Sequence, residues 1–197
     1  MLKVKIDFIS FFQRGIKNIN SDFMIALITG YQGSGKTFYA IKKMEDISGK
    51  MTIYTNIGSY KSRHHDIHYF KNISELYDNH DMNAIFLIDE LSKKYTKDSR
   101  IDKAFYSWLQ QSRKHNRQVY LITQEYLQVP QWLRGVANLV YTTRKIPILP
   151  ICCTSLGVPV LDEDTKEWGV SEMAVYFYKR TKRIARLYDT YELINEL

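Results

Sequence analysis

From Met24 to Thr29 the chain is continuously apolar, MIALIT, and it ends in a glycine-rich turn. From Lys36 to Ile47 the apolar residues Phe38, Ile41 and Met44 recur at helical spacing, so the two segments predict strand, loop and helix. The alternation continues. MTIYTNI predicts a strand, NISELYDN a short helix and NAIFLIDE a buried strand, and Ile101 to His115 predicts a helix with Ile101, Phe105, Trp108 and Leu109 inward. QVYLITQ predicts another strand. Near-continuous apolar strands alternating with helices imply a mostly parallel sheet covered by helices on both faces, an α/β fold. After Pro130 the pattern changes: ANLVYTTRKI, VPVLDEDTKEWGV, MAVYFYKR and IARLYDTYEL predict consecutive strands joined by turns. They are expected to form an antiparallel extension of the same domain from about Asn138.

Ahead of this core, Ile6, Ile9, Phe12, Ile16 and Ile19 recur at helical spacing, with Lys3, Arg14 and Lys17 off the stripe. Residues 1–20 are therefore expected to be an amphipathic arm, packed on its own domain or on a neighbouring subunit, or lying on a membrane surface. Residues 21–197 are expected to be a single domain, since no linker rich in Gly, Ser or Pro divides them. The longest apolar runs fall far short of the ~20 residues that a spanning helix needs, so no transmembrane segment is expected.

Composition changes this picture little: 45% hydrophobic and 14% aromatic residues suffice for a substantial core. Charge adds more. A formal net charge of +7 suits a polyanionic partner, and equally a protein that merely stays soluble. Cys152 and Cys153 are neighbours, which disfavours a bridge between them and points to a reducing compartment.

The chemistry lies in the turn. Gly30, Gly33, Gly35, Lys36 and Thr37 satisfy G-x-x-x-x-G-K-[ST] after a predicted strand and at the head of a predicted helix, the context that makes the motif a phosphate loop. Glycines let backbone N–H groups turn toward phosphate, the helix N-terminus adds partial positive charge, Lys36 reaches the β and γ oxygens, and Thr37 offers a hydroxyl to Mg²⁺. The nucleotide contacts expected are Gly30, Tyr31, Gln32, Gly33, Ser34, Gly35, Lys36, Thr37 and Phe38. AIFLIDE supplies the acids: Asp89 for the metal and Glu90 to polarise an attacking water, which suits a hydrolase better than a small-molecule kinase. Gln124, at the end of VYLITQ, is placed to hydrogen-bond the γ-phosphate or that water. No N-K-x-D of the guanine-binding kind is present, so the cofactors expected are ATP and Mg²⁺.

QQSRKHNRQ closes a helix with Arg113, Lys114 and Arg117. Cations there stabilise a helix end, or one of the arginines is a finger reaching a neighbour's site. SKKYTKDSR and YKRTKR are solvated basic faces or tracks for a nucleic-acid backbone, with Tyr95 available to interleave. The run RHHDIH lacks the glutamate of a zinc-protease helix and reads as a loop.

GYQGSGKT, IYTNI, FLIDE, SRKHNRQVYLITQ and VPQWLRGVANLVY, in that order from about Ile25 to Arg144, resemble the Zot-like ATPases of the FtsK/HerA superfamily, which includes filamentous-phage assembly proteins and viral genome-packaging ATPases. The resemblance implies a P-loop NTPase core of the ASCE type, RecA- or FtsK/HerA-like, with an added catalytic glutamate. It implies a homo-oligomeric ring that applies force to double-stranded DNA or to a phage particle. Carried onto this chain, Lys36, Glu90, Gln124 and Arg113 would be catalytic, and Thr37 and Asp89 would serve the metal. Filamentous-phage members continue into a membrane-spanning segment and a periplasmic tail, and neither is expected within these 197 residues, which either stand alone or belong to a longer chain. The expectation is therefore a soluble packaging motor in the host cytoplasm or on the virion, docked to a capsid vertex or peripheral to a membrane complex. Filamentous-phage export is the alternative.

Overall fold

Each residue of strand β1 (Met24–Thr29) is buried, so this strand needs partners at both edges and cover on both faces. A computed structural model supplies them; it describes residues 23–146 and 150–189, so the arm expected over residues 1–20 lies outside the described residues. β1 is followed by helix α1 (Lys36–Glu45), strands β2 (Thr52–Thr55), β3 (Asp66–Tyr69) and β4 (Ile85–Ile88), helix α2 (Lys103–Gln111) and strand β5 (Gln118–Ile122). Helix α3 (Gln131–Val136), strands β6 (Leu139–Lys145), β7 (Ile151–Leu161) and β8 (Trp168–Lys179), and the short helix α4 (Lys182–Ala185) complete the order. The eight strands form one sheet, β3-β2-β4-β5-β1-β6-β7-β8.

Successive β1 side chains feed opposite cores, as the period of a strand requires. Met24, Ala26 and Ile28 join the cluster under α1 and α4, while Ile25 and Leu27 join the one holding Phe105, Trp108 and Leu109 of α2 and Leu133 of α3. Truncating such a residue, Leu27→Ala for example, costs about 2–5 kcal/mol.

The pairing corrects the expected C-terminal third. β6 lies parallel to β1, so it belongs to the parallel core, and antiparallel pairing begins only with β7 and β8. β7 starts at Ile151 and runs through VPVL. The following turn is held by the Asp162 carboxylate, which accepts from the N–H groups of Asp164 and Thr165 at 2.9 Å. Of the strand expected over IARLYDTYEL, the described part, up to Asp189, is not a strand: Ile184, Leu187 and Tyr188 are buried together at helical spacing, against α1. β3 was not expected because its residues are mostly exposed and carry no apolar alternation. Ile101 is not inward but 54% exposed. The helix starts after it, where the Asp102 side chain accepts from the N–H groups of Ala104 and Phe105 at 3.1 Å.

Candidate nucleotide site

The loop after β1 is built on glycine backbone and on β6. Gly33 and Gly35 have φ of 74° and 94°, a region that costs a side chain strain. At Gly30 the objection is space, since a Cβ would lie 2.4 Å from the Thr143 carbonyl oxygen. Thr143 anchors the loop from below: its hydroxyl lies 2.9 Å from that of Ser34 and donates to the Thr29 carbonyl at 3.2 Å. From the other side, Gly30 N–H donates to the Gln124 carbonyl at 2.7 Å. The loop therefore spans two neighbouring strands and opens at the head of α1.

Lys36 folds back inside the loop. Its Nζ donates to the carbonyls of Gly30 at 2.8 Å and Tyr31 at 3.1 Å, and burial lowers its pKa against the opposing pull of Asp89 and Glu90. Thr37 Oγ1 donates to Asp89 Oδ2 at 2.8 Å, while Asp89 Oδ1 accepts from Glu90 N–H at 2.7 Å. Burial pushes the Asp89 carboxyl up to about 6, with the Thr37 bond opposing. Glu90 takes a left-handed backbone (φ 54°, ψ 38°), a conformation that functional sites retain at some cost, and its Oε2 is 2.5 Å from Lys93 Nζ.

These groups line a cleft of about 320 Å³ with Gln32, Gly33, Gly35, Phe38 and Gln124. Of the other expected contacts, Gly30 and Ser34 brace the loop through Thr143, and Tyr31 is 73% exposed at its tip. β5 lies between β4 and β1, which is why Gln124 comes to stand between the acids and the phosphate loop. The donors suit Mg²⁺: a hydroxyl and a carboxylate are hard oxygen ligands, and phosphate oxygens and water complete such a shell. Among the described residues no group of three or more His, Cys, Asp or Glu is arranged to hold a metal, the RHHDIH run included.

Arg113 is exposed, in the turn after α2. That turn leads to the start of β5, at the end of the strands opposite the phosphate loop, so Arg113 lies away from the cleft. Arg117 is 1% exposed; its Nε donates to the Asp81 carbonyl at 2.9 Å and its guanidinium lies over the rings of Phe86 and Trp108. Arg134 is buried as well, and donates to the Trp168 carbonyl at 3.1 Å. Both are thus occupied within their own subunit. Tyr95 is not free to interleave with bases: it is buried, stacked on Phe105, and donates to Asp102 Oδ2 at 2.6 Å.

Asn56 and Arg180 are among the participants that the sequence pattern does not single out. Asn56, just past β2, exchanges hydrogen bonds with the Asp89 backbone, and the IYTNI run that holds it was the available signal. Arg180, from the YKRTKR run expected to face nucleic acid, lines the cleft instead.

A phosphate loop after a central parallel strand, with an acidic pair two strands away and another strand interposed, makes this a P-loop NTPase fold. The chain belongs to the zonular occludens toxin (Zot) family, whose sequence profile matches residues 60–192. It is similar in structure to the N-terminal domain of zonular occludens toxin from Neisseria meningitidis, at 21% identity and a TM-score of 0.60, over 85% of this chain and 99% of that one. It is also similar to the genome packaging NTPase B204 from Sulfolobus turreted icosahedral virus 2 in complex with ATPγS, at 13% identity and a TM-score of 0.51, over 77% and 97% of the two chains. The RadB recombinase aligns at 17% identity and a TM-score of 0.54, over 81% and 88%. At these identities the likeness is one of fold. No curated protein matches the chain by sequence.

Proposed function

We propose that this chain is an ATPase motor that moves double-stranded DNA in viral or phage genome packaging, working as a homo-oligomeric ring. The observation that carries the ATPase part is the Thr37–Asp89 hydrogen bond, with Lys36 and Glu90 beside it in one cleft. Lys36 exchanges its loop carbonyls for phosphate oxygens. Thr37 and Asp89 would hold Mg²⁺, which would supply charge neutralisation at the phosphates. Glu90, released from Lys93, takes the proton of the water that attacks the γ-phosphorus as the bond to the β-phosphate breaks, while Gln124 orients that water and Arg113 of a neighbour offsets the developing charge. Nucleotide-bound B204, described as a genome packaging NTPase, supports this reading. Family membership supports a second one, in which the same ATPase drives assembly and export of a filamentous phage. Among the described residues no helix is long and apolar enough to cross a membrane. A place in the host cytoplasm, on the virion or at a membrane complex is part of the proposal.

The test is ATP hydrolysis by the purified protein at several protein concentrations, with and without double-stranded DNA. The motor reading expects turnover that rises with protein concentration and with DNA, and a stimulation that fades steeply as salt rises. Turnover indifferent to DNA at every salt concentration removes the packaging reading and leaves phage export. Phosphate transfer to a nucleoside removes both.

A further inference from the structure

After β8 the chain turns back over the head of α1. Arg180 N–H donates to the Pro150 carbonyl at 2.9 Å, and the guanidinium lies 5.5 Å from the centroid of the Phe38 ring. Phe38 is itself stacked on Tyr178. Further on, Leu187 accepts from Lys61 N–H at 2.8 Å, and Asp189 N–H donates to Ser59 Oγ at 2.8 Å. The segment from Arg180 to Asp189 is thus fastened at one end beside β7 and at the other to the β2–β3 connection, with Ile184 and Leu187 buried between. Both fastened ends, Arg180 and Asp189, line the nucleotide cleft. Arg180 is half-buried there and has no carboxylate within ion-pair distance among the described residues. A cation meant for a nucleic-acid backbone has no reason to be turned onto an aromatic ring inside this cleft.

We propose that Arg180 is a nucleotide-contacting residue supplied by the same chain, and that it binds the α-phosphate of a nucleoside di- or triphosphate. The γ end of the cleft is marked by Asp89 and Glu90 after β4 and by Gln124 after β5. Arg180 stands across the loop from them, on the side of β6 to β8, over the residue that follows Thr37. A polyphosphate with its terminal group at Glu90 and Gln124 leaves the loop past Phe38, so the first phosphate and the ribose meet Arg180. The planar guanidinium suits that role, since it can stack on Phe38 and still offer paired donors to phosphate oxygens.

This assignment rests on the nucleotide-binding reading, and the experiment separates the two. Binding of ADP and of ATP, each with Mg²⁺, is measured by calorimetry for the full chain and for its Arg180→Ala and Arg180→Lys variants. An α-phosphate contact is present with both ligands. Arg180→Ala should therefore weaken ADP and ATP by the same factor, about 10- to 100-fold, the scale of a charge-assisted contact, and Arg180→Lys by less. Should Arg180→Ala fail to fold, Arg180→Lys carries the test, with about 3- to 10-fold weakening expected for both ligands. Unchanged affinity, or a loss confined to ATP, overturns the assignment. If the parent chain binds neither nucleotide, it is the nucleotide reading itself that fails.

Discussion

Asn56 and the backbone of Asp89 pair as one peptide group pairs with another: Asp89 N–H donates to Asn56 Oδ1 at 2.8 Å, and Asn56 Nδ2 donates to the Asp89 carbonyl at 2.9 Å. The β2–β4 ladder ends at Thr55 and Leu87, and the amide side chain extends it past that point. Asp89 is thereby fixed one residue ahead of the left-handed turn that presents Glu90. Asn56→Ala leaves both buried backbone groups without a partner, a cost of about 2–4 kcal/mol in denaturant unfolding, and should slow ATP hydrolysis at least about tenfold. Hydrolysis at the parent rate would remove Asn56 from the positioning of Asp89.

Lys36 and Glu90 should separate binding from chemistry. Lys36→Ala loses the cation inside the loop and should lower nucleotide affinity about 10- to 100-fold. Glu90→Gln keeps that cation and should bind ATP normally while hydrolysing it at least about 100-fold more slowly. Calorimetry and single-turnover hydrolysis make the comparison. A Glu90→Gln variant that turns over at the parent rate would show that Glu90 is not the base.

Asp89 carries a pH signature. Its carboxyl sits at about 6 in the folded protein against 3.8 when unperturbed, so the folded state holds the proton more tightly than the unfolded one. That contribution to stability is fully present below 3.8 and is lost as pH rises through about 6. At pH 7.5 the nucleotide-free protein therefore carries a buried charge that Asp89→Asn removes. The variant should be more stable than its parent there by roughly 1–3 kcal/mol, with the gap closing toward pH 4, and should gain a smaller thermal shift than its parent from Mg²⁺ and ATP. A less stable variant at pH 7.5 would contradict this assignment of the cost.

Arg113 and Arg117 lie on one stretch of chain and should behave oppositely. Arg117→Ala empties a buried site that ties the Asp81 carbonyl to two aromatic rings, and should cost about 2–4 kcal/mol of stability. Arg113→Ala, at an exposed turn, should change stability by less than about 0.5 kcal/mol. As a finger acting on a neighbour, Arg113→Ala should hydrolyse ATP poorly alone and regain activity when mixed with Lys36→Ala, whose Arg113 is intact. Mixed assemblies without such rescue would return Arg113 to the role of a helix-end cation.

The phosphate loop was legible because its residues are contiguous and its chemistry depends on local backbone. The buried strands β1, β4 and β5 were legible for a related reason, being apolar at nearly every position. What pattern alone could not convey was partnership. β6 reads the same whether its neighbour runs parallel or antiparallel, and α3, the crossover that makes it parallel, spans only Gln131–Val136. Ile184, Leu187 and Tyr188 fit a strand loosely and a helix turn well, and only their packing on α1 separates the two. Tyr95 and Arg180 both sat in basic runs, where composition suggests a surface. One is buried among aromatic rings and the other turns into the cleft, contacts made with residues distant in the sequence.

The centre of the sheet is also its earliest part to be synthesised. Both neighbours of β1 come late, as the Ile25 N–H bond to Asn138 Oδ1 across 113 positions illustrates. While the ribosome is still making β2 to β4, MIALIT has no edge partner and only α1 to cover one of its faces, and contacts this distant form slowly. Such a segment is the kind that chaperones hold and that aggregates when crowded. Expression at low temperature or with added chaperones should therefore raise the soluble yield more than changes to the surface would.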